Sequence, residues 1–433
     1  MTEEIIEDVG CTVCACVCDD LRITVRDGRI VNYQPFCSRV GDWFERQNSQ
    51  EFPVATHTGK EISRNEAISR AATILRHARS PLIYGLSRSS TEGQRAAVAL
   101  ADYLGATIDT TASEGHAPSI LALQQVGEST CSLGEIRNRA DLVIYWGSDP
   151  LQWQPRHLER YSMKAGTLTP RGRADRTLIV VDSHCTATAD LSDSFLQIEA
   201  GQDFEALWTL RGLVKGIEPA PGSTTGLPVE QLRQLAEQMK SCRCGVIFFG
   251  YGIVLQPMGH QTVEALLQLV TDLNAHTRFY ARRMRVAGDV SGADSVLCWQ
   301  TGYPFSVNFA RGFPRYSPDE YSASDTLGRG EPDAAVLIGS SRLDEFPVKA
   351  LEHLARIPTI LLEHPFGRIP FEPTIRITTA VYGIHRHGTA YRMDEVPIPL
   401  RPLLESPHPS DDEVLEEIRT RLRQSEVGFT ETS

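Results

Sequence analysis

Short apolar runs that alternate with helical stripes constrain this chain more than any other feature. Glu66–Ala78 carries apolar residues at Ala67, Ala71, Ile74, Leu75 and Ala78, the spacing of one helix face. Pro81–Ser87 follows as a buried strand and its loop, and Glu92–Leu104 is a helix stopped by Gly105. Ala140–Pro150 and Thr177–Val181, the latter ending in Asp182-Ser183, repeat the strand theme. The pattern restarts at Gly245–Gly252, with a helix from Gln261 to Asn274. Ala334–Ser341 is another strand and loop, followed by a helix around Val348–Ala355, and Thr359–Glu363 is the last clear strand. Continuous apolar strands between helices require a parallel sheet covered on both faces. The expected fold class is therefore α/β, with two doubly wound Rossmann-like domains.

The expected organisation is a Cys-rich hairpin module over 1–55 and a first α/β domain over 56–214. The Pro- and Gly-rich stretch 215–228 reads as a linker, and 229–404 as the second α/β domain with a return segment. A charged, proline-containing tail over 405–433 reads as a surface helix with a frayed end.

Four cysteines, Cys11, Cys14, Cys18 and Cys37, are spaced C-x2-C-x3-C-x18-C. Leu21, Ile23 and Val25 alternate with polar residues, Asp27-Gly28 makes a turn, and Ile30-Val31 return. The hairpin would bring Cys37 back toward the other three. Four thiolates are what a cubane iron–sulfur cluster needs. A structural zinc site, or no metal, are the other readings, although C-x3-C suits zinc ribbons less well. Cys16 is spare in this pattern. Cys131, Cys185, Cys242, Cys244 and Cys298 lie in or beside apolar runs, and most of them read as buried, inert thiols, although Cys242-x-Cys244 has a metal-binding spacing with no partner pair nearby in sequence.

Glycine at the end of a parallel strand is where phosphorylated cofactors approach, because backbone N–H groups there are unpaired and no Cβ intrudes. Gly147 with Asp149, Gly250, Gly252 and Gly339 are the candidate cofactor-binding positions. No G-x-G-x-x-G opens a helix, which disfavours nicotinamide. A nucleophile elbow, a zinc-binding H-E-x-x-H helix and a phosphate loop of the Walker type are also missing, so hydrolysis is assigned to a partner. The net charge of −12 over 433 residues argues against nucleic acid, and no apolar run approaches a membrane span. The acidic start lacks an apolar signal stretch, which makes the cytoplasm the default location.

Longer stretches carry a resemblance. Cys11-Thr12-Val13-Cys14 with Cys18-Asp19-Asp20, Leu133–Asp141 running into Tyr145-Trp146-Gly147, and Pro155-Arg156-His157 with Arg160-Tyr161 resemble the B-type subunit of formylmethanofuran dehydrogenase. So do Val286-Ala287-Gly288, Trp299–Phe305 and Gly388–Asp394. This is a family of the molybdopterin or tungstopterin oxidoreductase type. The resemblance implies a bis-pterin guanine dinucleotide shared with a small subunit, a molybdenum or tungsten ion held by a cysteine, and a 4Fe–4S cluster. It also implies partner subunits, one of the metal-dependent amidohydrolase type.

The family's metal-binding cysteine precedes a histidine. Here Ser113–Ser119 reads S-E-G-H-A-P-S, so His116 matches and Gly115 occupies the cysteine position. Glycine has no donor atom; Glu114 or Cys131 would have to substitute from a different backbone placement. The chain is thus also similar to the B-type subunit of a formyltransferase/hydrolase complex, which moves a formyl group from a tetrahydromethanopterin carrier to a methanofuran-type carrier without electron transfer. His116 reads either as a proton-transfer group or as a polar residue shaping a cleft. Arg156, His157 and Arg160 read as pterin-phosphate contacts or as intersubunit ion pairs. Arg282, Arg283 and Arg285 read as a solvated charge run or as phosphate contacts. His385 and His387, with Arg386 between them, have the spacing of metal ligands, but no carboxylate-rich constellation surrounds them in the sequence and they read as a surface loop.

Overall fold

The computed structural model describes residues 2–48, 52–286, 288–339 and 342–430. Ala287 of the Val286–Gly288 motif and Ser340-Ser341 of the loop after Ala334–Ile338 lie outside the described residues. Two compact units result, and they do not follow the expected division at 215–228. One comprises 1–114 with 287–433; the other, 115–286, is inserted into it in sequence.

The first unit holds a nine-stranded sheet whose centre is parallel. In spatial order that centre is Thr107–Thr110, Pro81–Gly85, Ala334–Ile338, Thr359–Glu363 and Ile375–Thr378. Strands from both ends of the chain therefore pair directly, with Val336 opposite Ile83. Antiparallel strands, among them Ala55–His57 and Val307–Asn308, flank this centre. The helix Arg64–His77 starts at Ser63, whose hydroxyl accepts from the Glu66 N–H, and Thr91–Leu104 ends on Gly105 in the left-handed region. The C-terminal helix Asp411–Thr430 packs on both of these helices. Val414, Leu415, Ile418 and Leu422 enter the same core as Ile68, Leu75 and Leu100. The expected surface tail is thus a core element, because its charged residues mask a complete apolar stripe.

At the start of the chain, Leu21–Arg26 and Arg29–Gln34 form the hairpin, with Asp27 and Gly28 both at positive φ. A third strand, Glu3–Val9, joins it. A second hairpin, Gly388–Tyr391 with Pro397–Leu400, packs Ala390, Ile398 and Leu400 against Val17 of the cysteine loop.

The inserted unit holds five strands, all parallel, in the order Ser194–Gln197, Thr177–Asp182, Leu142–Trp146, Cys244–Phe249, Arg278–Arg283. The segment 215–228 runs between the helices Asp203–Val214 and Val229–Ser241, whose Leu210, Leu213, Leu232 and Leu235 share one core with Leu227. It is a loop within this unit, not a linker between units. Among the described residues, no helix is long and apolar enough to cross a membrane.

Candidate functional site

In the inserted unit, Leu142–Trp146 is followed in sequence by a strand on one side and, later, by a strand on the other. The connections diverge there, and a crevice opens at the carboxyl ends of the strands. Gly147 stands at that point with φ 55°. Its N–H donates to the Val181 carbonyl at 2.9 Å, and its own carbonyl accepts from the Gly252 N–H at 2.9 Å. A Cβ on Gly252 would lie 2.6 Å from the Gly147 Cα, so the two strand-end loops touch only because both residues are glycine. Gly147, Asp149, Gly250, Tyr251 and Gly252 line a cavity of 170 Å³ together with Asp182. Asp182 is not among the sequence candidates; an acidic residue closing an apolar strand next to a glycine loop is the signal that could have found it. Among the described residues, the lining includes no lysine or arginine. Two carboxylates and exposed backbone suit hydroxyl and amine donors of a sugar or base better than they suit bare phosphate charge.

Arg156 and His157 do not line this crevice. His157 is 0% exposed, its ring packed edge-on to Phe248 at 4.8 Å and against Tyr145 and Tyr161. It is a core histidine, because the turn that follows Trp153 folds it beneath the sheet. Arg156 pairs with Glu159 at 2.6 Å. Arg282 and Arg283 are not a solvated charge run. They end the strand Arg278–Arg283, where Arg282 donates to Thr130 and Arg283 pairs with the buried Glu128. His385 is likewise buried, its Nδ1 accepting from the Val381 N–H at 3.1 Å, and burial lowers its pKa to about 4.

Gly115 ends the short helix Ala112–Gly115, and His116 precedes the helix Ala117–Val126. The His116 carbonyl accepts from the N–H groups of Ser119 and Ile120, which fixes the residue as the helix entry. Its ring is 3% exposed and lies beside Tyr251, centroid to centroid 5.1 Å. Tyr251 also lines the glycine crevice, so the histidine reaches the cavity wall through that phenol. Burial raises the pKa of Glu114, the residue preceding Gly115, and Ser324 bonds its carboxylate.

The second divergence point lies in the first unit, between Pro81–Gly85 and Ala334–Ile338. Gly339, φ 74°, lines a small cavity there with Arg88, Glu363 and His364. Arg88, one residue past the strand and loop Pro81–Ser87, is a cation of this crevice. Burial lowers the pKa of His364.

Cys11, Cys14 and Cys18 are buried, and Cys37 is half-buried. The Cys11 N–H donates to the Cys18 carbonyl at 2.8 Å, which closes the loop into a cup. Burial, then the charges of Cys18 and Cys14 and more weakly of Cys37, raises the Cys11 pKa. The four thiols therefore face one another electrostatically. Yet among the described residues no three His, Cys, Asp or Glu side chains are close enough to hold a single metal ion. The donor set is all sulfur, which is the ligand chemistry of a polynuclear iron–sulfur group. Of the cysteines expected to be inert and buried, Cys244 is buried, whereas Cys185 and Cys298 are exposed.

No family model matches the chain. It is 40% identical over 413 residues to the B subunit of tungsten-containing formylmethanofuran dehydrogenase 2 from Methanocaldococcus jannaschii, covering 93% of this chain and 95% of that protein. The protein of the same name from Methanococcus maripaludis is 36% identical over 423 residues, covering 95% and 97%. The B subunit of the formyltransferase/hydrolase complex Fhc from Methylorubrum extorquens is 26% identical over 277 residues, covering 63% and 71%. Among solved structures, the Methylorubrum extorquens formyltransferase/hydrolase complex in complex with methylofuran superposes with a TM-score of 0.72 at 24% identity, over 86% of this chain and 99% of that one. Acetylene hydratase from Pelobacter acetylenicus gives 0.69 at 12% identity, over 97% and 70%. The two likenesses show the fold.

Proposed function

Because the chain belongs to the family of formylmethanofuran dehydrogenase B subunits, we propose that it is the B-type subunit of a cytoplasmic formyltransferase/hydrolase complex in tetrahydromethanopterin-linked one-carbon metabolism. It acts as a scaffold without redox chemistry of its own. The observation that carries this reading is position 115. A helix-ending residue with no side chain stands immediately before His116, so the chain offers no thiolate to a heavy metal there. Formyl hydrolysis belongs to an amidohydrolase-type partner, since the sequence shows neither a nucleophile elbow nor a zinc-binding H-E-x-x-H helix. Its partners are the other subunits of such a complex.

Cys11, Cys14, Cys18 and Cys37 would hold a 4Fe–4S cluster. When bound, such a group supplies one-electron transfer or, in a subunit without redox turnover, a covalent tie between the loop and the hairpin. Gly147, Gly250 and Gly252 would let a pterin guanine dinucleotide approach the backbone. Asp149 and Asp182 would accept from its hydroxyl or amine donors, and Gly339 with Arg88 offers the equivalent cradle in the first unit.

The four cysteines Cys11, Cys14, Cys18 and Cys37, the first three buried, favour a second reading, a working redox subunit whose molybdenum or tungsten is held by pterin sulfur alone. Elemental analysis of the purified complex separates the two. Iron without either heavy metal supports the scaffold. Tungsten or molybdenum near one per chain overturns it in favour of the redox subunit.

A further inference from the structure

The helix Asp203–Val214 buries Ala206, Leu207, Leu210 and Leu213 in the core of the inserted unit. Its outer side departs from the polar surface expected of an amphipathic helix. Trp208 is 55% exposed, and Ile217, in the loop that follows, is 62% exposed. With Phe204 they wall an open pocket of 560 Å³, a volume within the range of binding clefts. The exposed indole is held in place. Phe204, one turn earlier, stacks on it at 5.8 Å and 17°, and the Arg211 guanidinium lies 4.8 Å from the ring centroid. A braced tryptophan has already lost side-chain freedom that binding would otherwise cost.

Four charged side chains line the same pocket. Arg211 and Lys215 share Asp272, at 2.9 and 3.0 Å. Glu218 pairs with Arg233 at 2.8 Å. Among the described residues, the Glu205 carboxylate has no such counter-charge, and its Oε2 is shut off from solvent without a hydrogen-bond partner. A carboxylate partly stripped of water and given no donor is a cost that an incoming cation removes.

We propose that this pocket is the seat of another subunit of the complex, which sets an apolar side chain against Trp208 and Ile217 and a lysine or arginine against Glu205. The apolar walls fit the anchor, and the uncompensated carboxylate fits the cation. Glu205 and Trp208 are three apart on one helix, so the same cation also meets the indole. A lipid surface fits less well, because Glu205 and Glu218 would face anionic headgroups. The inference rests on reading the chain as one subunit of an assembly, and not on whether it carries redox chemistry.

The test uses the assembled complex. A photo-cross-linking phenylalanine analogue is placed at position 217, the complex is irradiated, and the joined peptides are identified by mass spectrometry. Trp208→Ala and Glu205→Lys variants are compared with wild type for subunit stoichiometry after a salt wash, with circular dichroism as the check on folding. The expected result is a cross-link to an apolar segment bearing lysine or arginine in a different subunit. Retention of that subunit should fall about tenfold or more in either variant. Replacing its cross-linked basic residue by glutamate should restore retention in the Glu205→Lys complex. A cross-link only to a second copy of this chain, or none at all with the other subunits present, would overturn the proposal. Full retention in both variants would overturn it as well. A wild-type chain that purifies without other subunits would remove the subunit reading itself, and the docking role with it.

Discussion

The Tyr251 hydroxyl lies 3.3 Å from Nε2 of His116, joining a buried imidazole at the entry of one helix to the wall of the glycine crevice. If the subunit is a scaffold, the pair is architectural. Tyr251→Phe should then lower thermal stability by about 1 kcal/mol, the worth of a partly buried hydrogen bond. Formyl transfer by the assembled complex should be unaltered. A large fall in turnover with assembly intact would instead assign proton transfer to His116.

The cysteine cup leads to a prediction about assembly. Cys14→Ser removes one of four donors from a loop whose folding is linked to the bound group. Iron per chain should fall, and the yield of intact complex on gel filtration should drop more than the specific activity of what does assemble. The opposite ranking would point to electron transfer.

Gly147 and Gly252 tolerate no side chain at their contact. An added Cβ on Gly252 meets the Gly147 carbonyl oxygen at 2.8 Å as well as its Cα. Gly252→Ala should cost about 1–3 kcal/mol of stability through overpacking. It should also abolish any guanine-dinucleotide binding in that crevice, as read by nucleotide release on denaturing the purified complex.

Asp109 gives a pH dependence. It is fully buried at the end of Thr107–Thr110, and its carboxyl accepts from the N–H groups of Thr110, Ser306 and Ala323 and from the Ser113 hydroxyl. Burial nevertheless raises its pKa to about 7. The folded chain holds this proton more tightly than the unfolded chain does. The contribution to stability is therefore full below the ordinary carboxylate range, near ~3.9, and is lost as pH rises toward 7. Asp411, raised to about 6 by burial, has the same sign. The stability difference between wild type and Asp109→Asn, measured by denaturant titration, should narrow as pH goes from about 5 to about 8. A gap that widens over that window would contradict the assignment.

Much of the cysteine cup is legible in the sequence because its signal is local. Ligand spacing and a two-residue turn lie within one stretch of chain, and a period-two alternation marks the strands. The glycine loops are legible for the same reason. Arg88 and Asp182 are not, because only strand order reveals which loop ends share a crevice. His157 departs from its expected contacts because a histidine after a strand has the same sequence signature whether it faces solvent or packs against Phe248.

From sequence alone came the alternation of buried strands and helices, the four-thiol loop and the absent donor at residue 115; each depends on residue type and near-neighbour spacing. Tertiary structure decided which strands became neighbours. Runs such as those around Ile83 and Val336 are apolar on both faces, so any of them can pair with any other until the helices between them are packed. That freedom explains why the chain divides at 114 and 287 rather than at its proline-rich loop. It also explains how the C-terminal helix, charged in sequence, came to complete the first core.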